Sequence, residues 1–213
     1  MTSTQMFLSR SFRLEHVPEQ TSFRNGVGVI TKLALTLADQ IPTPIILIDG
    51  RAGSGKSSFA EELRDELFRA SDAAPTLVHM DDLYQGWEGL QAGSGYLVQN
   101  ILQPLSQGKP AAWQLWDWAN SKRGAPEEPG NGWREFTGGN ILIIEGCGSL
   151  SRQSKEQAHL AVWIEAPREV RRERWQKRDS GKFDEFWGLW QAQEDEFYDA
   201  ENSELVADLV VLN

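Results

Sequence analysis

The segment IILIDGRAGSGKSS, residues 45–58, constrains the fold more than any other stretch of the chain. IILID has the length and apolar character of a buried strand. From Lys56 the apolar residues Phe59, Ala60, Leu63 and Leu67 return at helical spacing, with Glu61, Glu62, Asp65 and Glu66 elsewhere on a helix that runs to about Ala70. The turn between them fits G-x-x-x-x-G-K-[ST]. Its glycines allow successive backbone N–H groups to turn inward on a di- or triphosphate, and the helix N-terminus adds partial positive charge. Gly50, Arg51, Ala52, Gly53, Ser54, Gly55, Lys56, Ser57 and Ser58 form the expected cradle, with Lys56 reaching the β/γ oxygens and Ser57 holding Mg²⁺.

Four further apolar runs stop abruptly: TLVHM before Asp81, ILIIE before Gly146, LAVWIEA before Pro167, and ADLVVL at the end. Short runs of this kind suit strands covered on both faces, and helical stretches lie between most of them. One such stretch is Phe183 to Glu201, with Phe183, Phe186, Trp187 and Trp190 on one face. The pattern predicts a three-layer α/β/α fold with a five-stranded parallel sheet, formed as a single domain over residues 1–213. Residues 1–43 are read as an extended arm to residue 23 and a helix over 25–39. Asn25 would cap that helix, and Pro42 and Pro44 follow it. Residues 113–139 form a loop-rich insertion holding four of the nine tryptophans.

The net charge of −10 excludes a surface that tracks nucleic-acid phosphates or anionic lipid, so an anionic ligand must be held locally. No apolar run approaches the roughly 18 residues that span a bilayer. The N-terminal stretch lacks an apolar signal core, and the lone Cys147 makes no internal disulfide, which together predict a cytoplasmic protein. Against this acidic average, residues 168–182 carry seven basic and three acidic side chains, and everything after Lys182 carries nine carboxylates and no Lys or Arg.

Ligands of an open parallel sheet gather beyond the carboxyl ends of its strands. Asp81 and Asp82 stand at one such end and Glu145 at another. One carboxylate there can orient Mg²⁺ while another accepts the proton of an attacking hydroxyl. In the basic stretch, Arg171, Arg174 and Arg178 share a helix face with Trp175, and three guanidiniums so placed repel one another unless an anion sits among them. They are read as a phosphate lid, the alternative being structural pairing in which the acidic C-terminal stretch neutralises them. No N-K-x-D element reads a guanine, and no LSGGQ-like element is present. The cradle alone also fits an ATP-binding regulator or an ATPase.

These residues resemble the uridine kinase-like P-loop kinases, which include phosphoribulokinase and nicotinamide riboside kinase relatives. The resemblance covers about residues 44–212. It implies a MgATP-dependent transfer of the γ-phosphoryl to a hydroxyl of a small metabolite: a nucleoside, a sugar or a vitamin-like acceptor. HMDDLYQGW matches the family's Asp-x-aromatic-Tyr element and so implies Asp81 as catalytic base and magnesium-shell ligand, with Asp82 and Tyr84 near the acceptor. Leu83 replaces the usual aromatic. Glu145 and Gly146 match the family's Glu-Gly, whose carboxylate joins Ser57 around the metal. Trp116 and Asp117 resemble its acceptor-side Tyr-Asp, and Arg123 its downstream Arg. The lid pattern R-x-x-R-R-x-x-R-D reads Arg171, Arg174, Trp175, Arg178, Asp179, with Trp175 where the family has a second Arg. Arg171 and Arg174 are thereby implied in transfer and Arg178 in nucleotide binding.

Trp87 and the tryptophans of the insertion are the pointers to an acceptor, although Trp113, Trp116 and Trp118 equally suit packing a subdomain onto the sheet. Trp133, Trp163 and His79 are read as core. Cys147 and Ser149 have no adjacent base and are not nucleophile candidates.

Overall fold

The computed structural model describes residues 18–178 and 180–213, so the expectations for residues 1–17 and for Asp179 lie outside the described residues. A six-stranded parallel sheet runs through the centre in the order β1-β10-β9-β2-β8-β3. Its strands are β1 (Glu19–Ser22), β2 (Ile45–Asp49), β3 (Thr76–His79), β8 (Leu142–Glu145), β9 (Leu160–Glu165) and β10 (Leu209–Leu212). The five predicted strands are all present. The sixth, β1, comes from the arm and pairs in parallel with β10, Glu19 opposite Leu209. Its mostly exposed EQTS sequence carries no apolar signal, since an edge strand needs only ladder hydrogen bonds on one side.

The central strands read as unbroken apolar runs because alternate residues serve two cores. Ile46 and Ile48 of β2 join Ile143, Val162 and Val211 against α1 (Phe23–Ala38) and α2 (Lys56–Ser71). Ile45 and Leu47 face the opposite core, with Leu142, Ile144 and Trp163. That second core is closed by α3 (Leu90–Leu97), α4 (Arg168–Arg178) and α5 (Trp187–Glu201). α1 starts two residues before the predicted helix, with Ser22 rather than Asn25 at its N-cap. Its buried Ile30, Leu33, Ala34 and Leu37 settle the choice between helical and alternating periodicity.

α3 continues through a π-helical turn, Val98–Leu102, to a last helical turn at Gln103–Ser106. The insertion folds as two antiparallel ribbons. β4 (Ala111–Gln114) pairs with β7 (Trp133–Phe136), and β5 (Trp116–Asp117) with β6 (Lys122–Arg123). Trp163 is core as predicted, but Trp133 is 51% exposed because it stands on the solvent side of the β4–β7 ribbon.

β2 lies between β8 and β9. The chain leaves β2 through α2 to reach β3 beyond β8, and the later strands β9 and β10 lie on the other side. The carboxyl end of β2 is therefore a switch point, where connections diverge and leave a crevice.

Candidate functional site

The loop after β2 needs backbone angles that side chains resist: Gly50, Gly53 and Gly55 have φ of 145°, 79° and 102°. A Cβ on Gly53 would strike the carbonyl oxygen of Arg171, so close approach to the lid also requires glycine there. Gly55 is the N-cap of α2 and has no side chain to cap it. Phe59 is the first amide bonded in the turn, to Gly55 O at 3.0 Å, which leaves the N–H groups of Lys56, Ser57 and Ser58 ahead of it at the helix mouth. The first turn holds no acidic residue, and Ser57 and Ser58 are exposed. Such an arrangement can hold an anion.

Lys56 is buried, and its Nζ donates to Arg51 O at 3.0 Å and to Cys147 Sγ at 3.4 Å. Burial alone would lower its pKa, but Cys147, Glu145, Glu194 and Asp49 around it outweigh burial and hold it raised, so it remains an ammonium. Beneath the loop, Asp49 is fully buried and accepts the N–H groups of Gly50, Gly148 and Leu150 at 2.6, 3.1 and 2.7 Å and the Tyr198 hydroxyl at 2.7 Å. Burial pushes its carboxyl up to about 6. Asp49 thus ties the loop of β2 to the loop leaving β8.

Glu145 ends β8, directly beside β2, and is 4% exposed. Register places it opposite His79 of β3, whose Nδ1 lies 2.6 Å from Glu145 Oε1. A carboxylate accepts only, so His79 donates. The pairing raises the His79 pKa above its ordinary value. His79 is not the core residue expected from its strand: its side chain is 40% exposed and belongs to the site. Only pairing across β3 and β8 reveals that.

Asp81 lies in the single 3₁₀ turn Met80–Asp82 just past β3. It opens to solvent at the cleft, yet protein crowds it closely enough that desolvation, then the Glu145 charge, raises its pKa. The charges of Arg178, Lys56 and His79 pull the other way. Asp82 is also raised, first by desolvation.

Several residues implied on the acceptor side are engaged otherwise. Tyr84 is 2% exposed, donates to Cys147 O at 2.8 Å and packs edge-on against Trp190, so it supports the loop after Glu145 from inside the core. Arg123 donates to Leu83 O at 2.7 Å and Gln114 O at 3.2 Å, and lies 3.7 Å from the Tyr96 ring centroid. Asp117 accepts the Ala119 and Asn120 amides, both at 3.0 Å, and caps the β5–β6 turn. Trp116 is half-buried, its indole Nε1 enclosed and without a hydrogen-bond partner. What does reach Asp81 from the insertion is Trp118, 40% exposed, whose indole N–H donates to Asp81 O at 3.0 Å. Trp118 packs against Trp87, which also stacks on Phe186 at 4.5 Å.

Helix α4 lies against the loop. Arg171 is buried and donates to Ala166 O and Ala52 O, at 3.2 and 3.3 Å. Arg174 donates to Gly53 O and Ser54 O, at 3.3 and 3.2 Å. Both guanidiniums hold the loop's backbone, and Arg171 also stands 3.9 Å from the buried Glu194 carboxylate. Arg178, one turn on, lies 5.5 Å from the Trp175 ring centroid. Trp175 is 6% exposed and meets Trp187 at 5.3 Å, which explains an apolar residue at this lid position. Beside Arg174 an open, mainly apolar cleft of about 710 Å³ is lined by Glu165, Ala166, Pro167, Val170, Leu212 and Asn213.

Sequence reasoning missed Glu194. It is fully buried on α5 and accepts the Ala52 N–H at 2.5 Å.

No protein-family model matches the chain, and no curated protein matches it in sequence. Solved structures match it in fold. One is described as a possible uridine kinase from Bacillus stearothermophilus, with a TM-score of 0.61 at 17% identity over 88% of this chain and 98% of that one. Another is provisionally assigned as a fructose transport system kinase from Silicibacter sp. TM1040, with a TM-score of 0.58 at 21% identity over 85% of this chain and 98% of that one. At these identities the likeness is one of architecture, and the architecture of this chain is the uridine kinase-like P-loop kinase fold.

Proposed function

We propose that the chain is an ATP-dependent phosphotransferase that moves the γ-phosphoryl of MgATP to a hydroxyl of a small metabolite. The observation that carries this reading is the placement, at the carboxyl ends of three neighbouring strands, of the amide cradle and Lys56 after β2, Glu145 at the end of β8 and Asp81 just past β3. The cleft beside Arg174 adjoins the loop carbonyls of Gly53 and Ser54, so a nucleotide with its phosphates on the loop lays its base there.

Among the described residues no group of three or more His, Cys, Asp or Glu side chains forms a metal cage. The donors present fit magnesium, which keeps several waters and takes one or two protein oxygens together with substrate phosphates. Ser57 and Glu145 would hold it, with Asp81 in its outer shell. Such an ion would supply positive charge against the charge that develops on the transferring phosphoryl.

Lys56 supplies a fixed positive charge next to the cradle, preorganised by Arg51 O and Cys147, so little reorganisation accompanies transfer. Asp81 accepts the proton of the attacking hydroxyl. Its raised pKa brings it closer to the operating pH, where a base is most effective. Trp118 fixes the Asp81 backbone and presents an exposed indole face to the acceptor. Arg178, whose charge opposes the rise in the Asp81 pKa, would shield the phosphoryl from the α4 side.

General-base assistance is worth about 10² to 10⁴ in rate. Asp81→Asn is therefore expected to cut acceptor-dependent ADP release by that factor while MgADP affinity stays within about twofold. The assay is a coupled ADP-release measurement with a panel of hydroxyl-bearing metabolites. An Asp81→Asn enzyme as fast as the parent removes Asp81 from the mechanism. Nucleotide binding with no acceptor-dependent turnover favours the regulatory reading instead.

A further inference from the structure

α5 touches both halves of the site. Gln193 donates from Nε2 to Trp87 O at 2.7 Å and accepts the Leu90 N–H at 3.3 Å, fixing the loop that carries the acceptor-side aromatics. The next residue, Glu194, has no exposed surface and belongs to the phosphate side. Its Oε1 accepts the Ala52 N–H at 2.5 Å and the Cys147 thiol at 3.3 Å, and its Oε2 accepts the Gln191 amide at 2.5 Å. The Arg51 and Arg171 guanidiniums stand 3.7 and 3.9 Å away. Asp195, next along, pairs with Arg51 at 2.5 Å.

Two of these contacts bear on the cradle. Ala52 is in the middle of the loop, between the Asp49 anchor and the N-cap Gly55, so a bond to its amide sets how high the loop rides above the sheet. Cys147 is held between Glu194 and the Lys56 ammonium, 3.3 Å from one and 3.4 Å from the other, so Glu194 also sets the wall along which Lys56 lies. A buried carboxylate is costly unless donors and cations surround it, and here each of them comes from the loop, from the strand end after β8, or from the two helices packed on them.

We infer that Glu194 is a positioning residue for the phosphate cradle. It registers the loop through Ala52 and Lys56 through Cys147, while Gln193 registers the acceptor-side loop from the same turn of α5. Donor and acceptor halves then share one rigid reference. The inference rests on the nucleotide-binding part of the proposed function, not on transfer.

The test is calorimetric titration of MgADP and of magnesium pyrophosphate into the parent protein, Glu194→Ala, Glu194→Gln and Glu194→Asp, with melting temperatures measured alongside. Pyrophosphate has no base and needs no acceptor, so it reports on the cradle alone. A lost bond to a charged group predicts weakening of both ligands by about tenfold or more in Glu194→Ala. Glu194→Gln keeps an oxygen for the Ala52 amide and recovers affinity to within about threefold of the parent. Glu194→Asp keeps the charge but withdraws it by one methylene, and it decides the matter if the Ala variant does not fold: pyrophosphate weakens by about fivefold or more.

A folded Glu194→Ala or Glu194→Asp protein with parental pyrophosphate affinity overturns the inference. So does a Gln variant as weak as the Ala variant. A parent protein that binds MgADP but transfers to no acceptor overturns the phosphotransferase reading alone, and one that binds neither ligand overturns both.

Discussion

Tyr198→Phe removes one oxygen from a buried polar network beneath the loop. The phenol donates to Asp49 Oδ1 at 2.7 Å, and its ring packs edge-on against Trp163 at 4.8 Å and Phe197 at 5.5 Å. Phenylalanine keeps both ring contacts, so the substitution isolates the hydroxyl. Burial pushes the Asp49 carboxyl from 3.8 to about 6 in spite of its four donors. A gap of about 2 pH units corresponds to about 3 kcal/mol. The native protein holds this proton to higher pH than the unfolded chain does. It therefore binds more protons between roughly pH 4 and 6, and the Asp49 contribution to stability falls as pH rises through that window.

Above the window the hydroxyl donates to an anion, a bond worth about 1.5–3 kcal/mol; below it the bond is neutral and worth about 0.5–1.5 kcal/mol. Tyr198→Phe should therefore cost about 1 kcal/mol at pH 4.5 and about 2–3 kcal/mol at pH 7.5. Losing a donor that lowers the Asp49 pKa also carries the carboxyl's titration to higher pH. Urea denaturation of both proteins across this range gives the difference directly, and the other carboxylates cancel in the comparison. A cost that is flat with pH, or that grows toward acid, refutes the argument.

Lys56→Ala deletes the ammonium that Arg51 O and Cys147 hold at the cradle; MgATP affinity should fall about 10- to 100-fold, and an unchanged ATP titration contradicts the cradle. Gly93→Ala adds a Cβ 2.6 Å from the Tyr84 ring. The overpacking cost of about 1–3 kcal/mol outweighs the 0.5–1 kcal/mol that alanine gains in a helix, so chemical denaturation should show a net loss.

The parts of this fold that were legible in the sequence are those that carry their own signal. β2, β3, β8, β9 and β10 are apolar runs because two cores claim their alternate residues. β1 is held by its ladder to β10 and needs no apolar side chains. α3 is obscured by Gly93, Ser94 and Gly95, residues of poor helix propensity. Gly93 is there because the Tyr84 ring leaves no room for a Cβ, a reason found only in the tertiary packing. In the site, the glycines, Lys56 and the carboxylates at strand ends were readable from spacing. His79 and Glu194 were not, because His79 meets Glu145 across 66 residues and Glu194 meets Ala52 across 142. Long-range pairing of single polar residues leaves no local pattern.

The lid arginines have partners on the loop that helical spacing alone does not show. Shared helical spacing demands something negative opposite Arg171 and Arg174, and phosphate was the expected answer. A loop that turns its N–H groups inward must turn its carbonyls outward, however, and those carbonyls need donors wherever they are covered. Ala52 O takes Arg171, Gly53 O takes Arg174, and Ser54 O takes Arg174 and Asn213. The outer face of the cradle is thus held by cations and an amide, and its inner face stays open for an anion. Arg174→Ala should then weaken MgADP binding and slow transfer by similar factors, because both depend on the shape of the loop. If transfer slows with MgADP affinity unchanged, Arg174 acts on the moving phosphoryl and not on the loop, and the assignment of the lid arginines to the loop backbone fails.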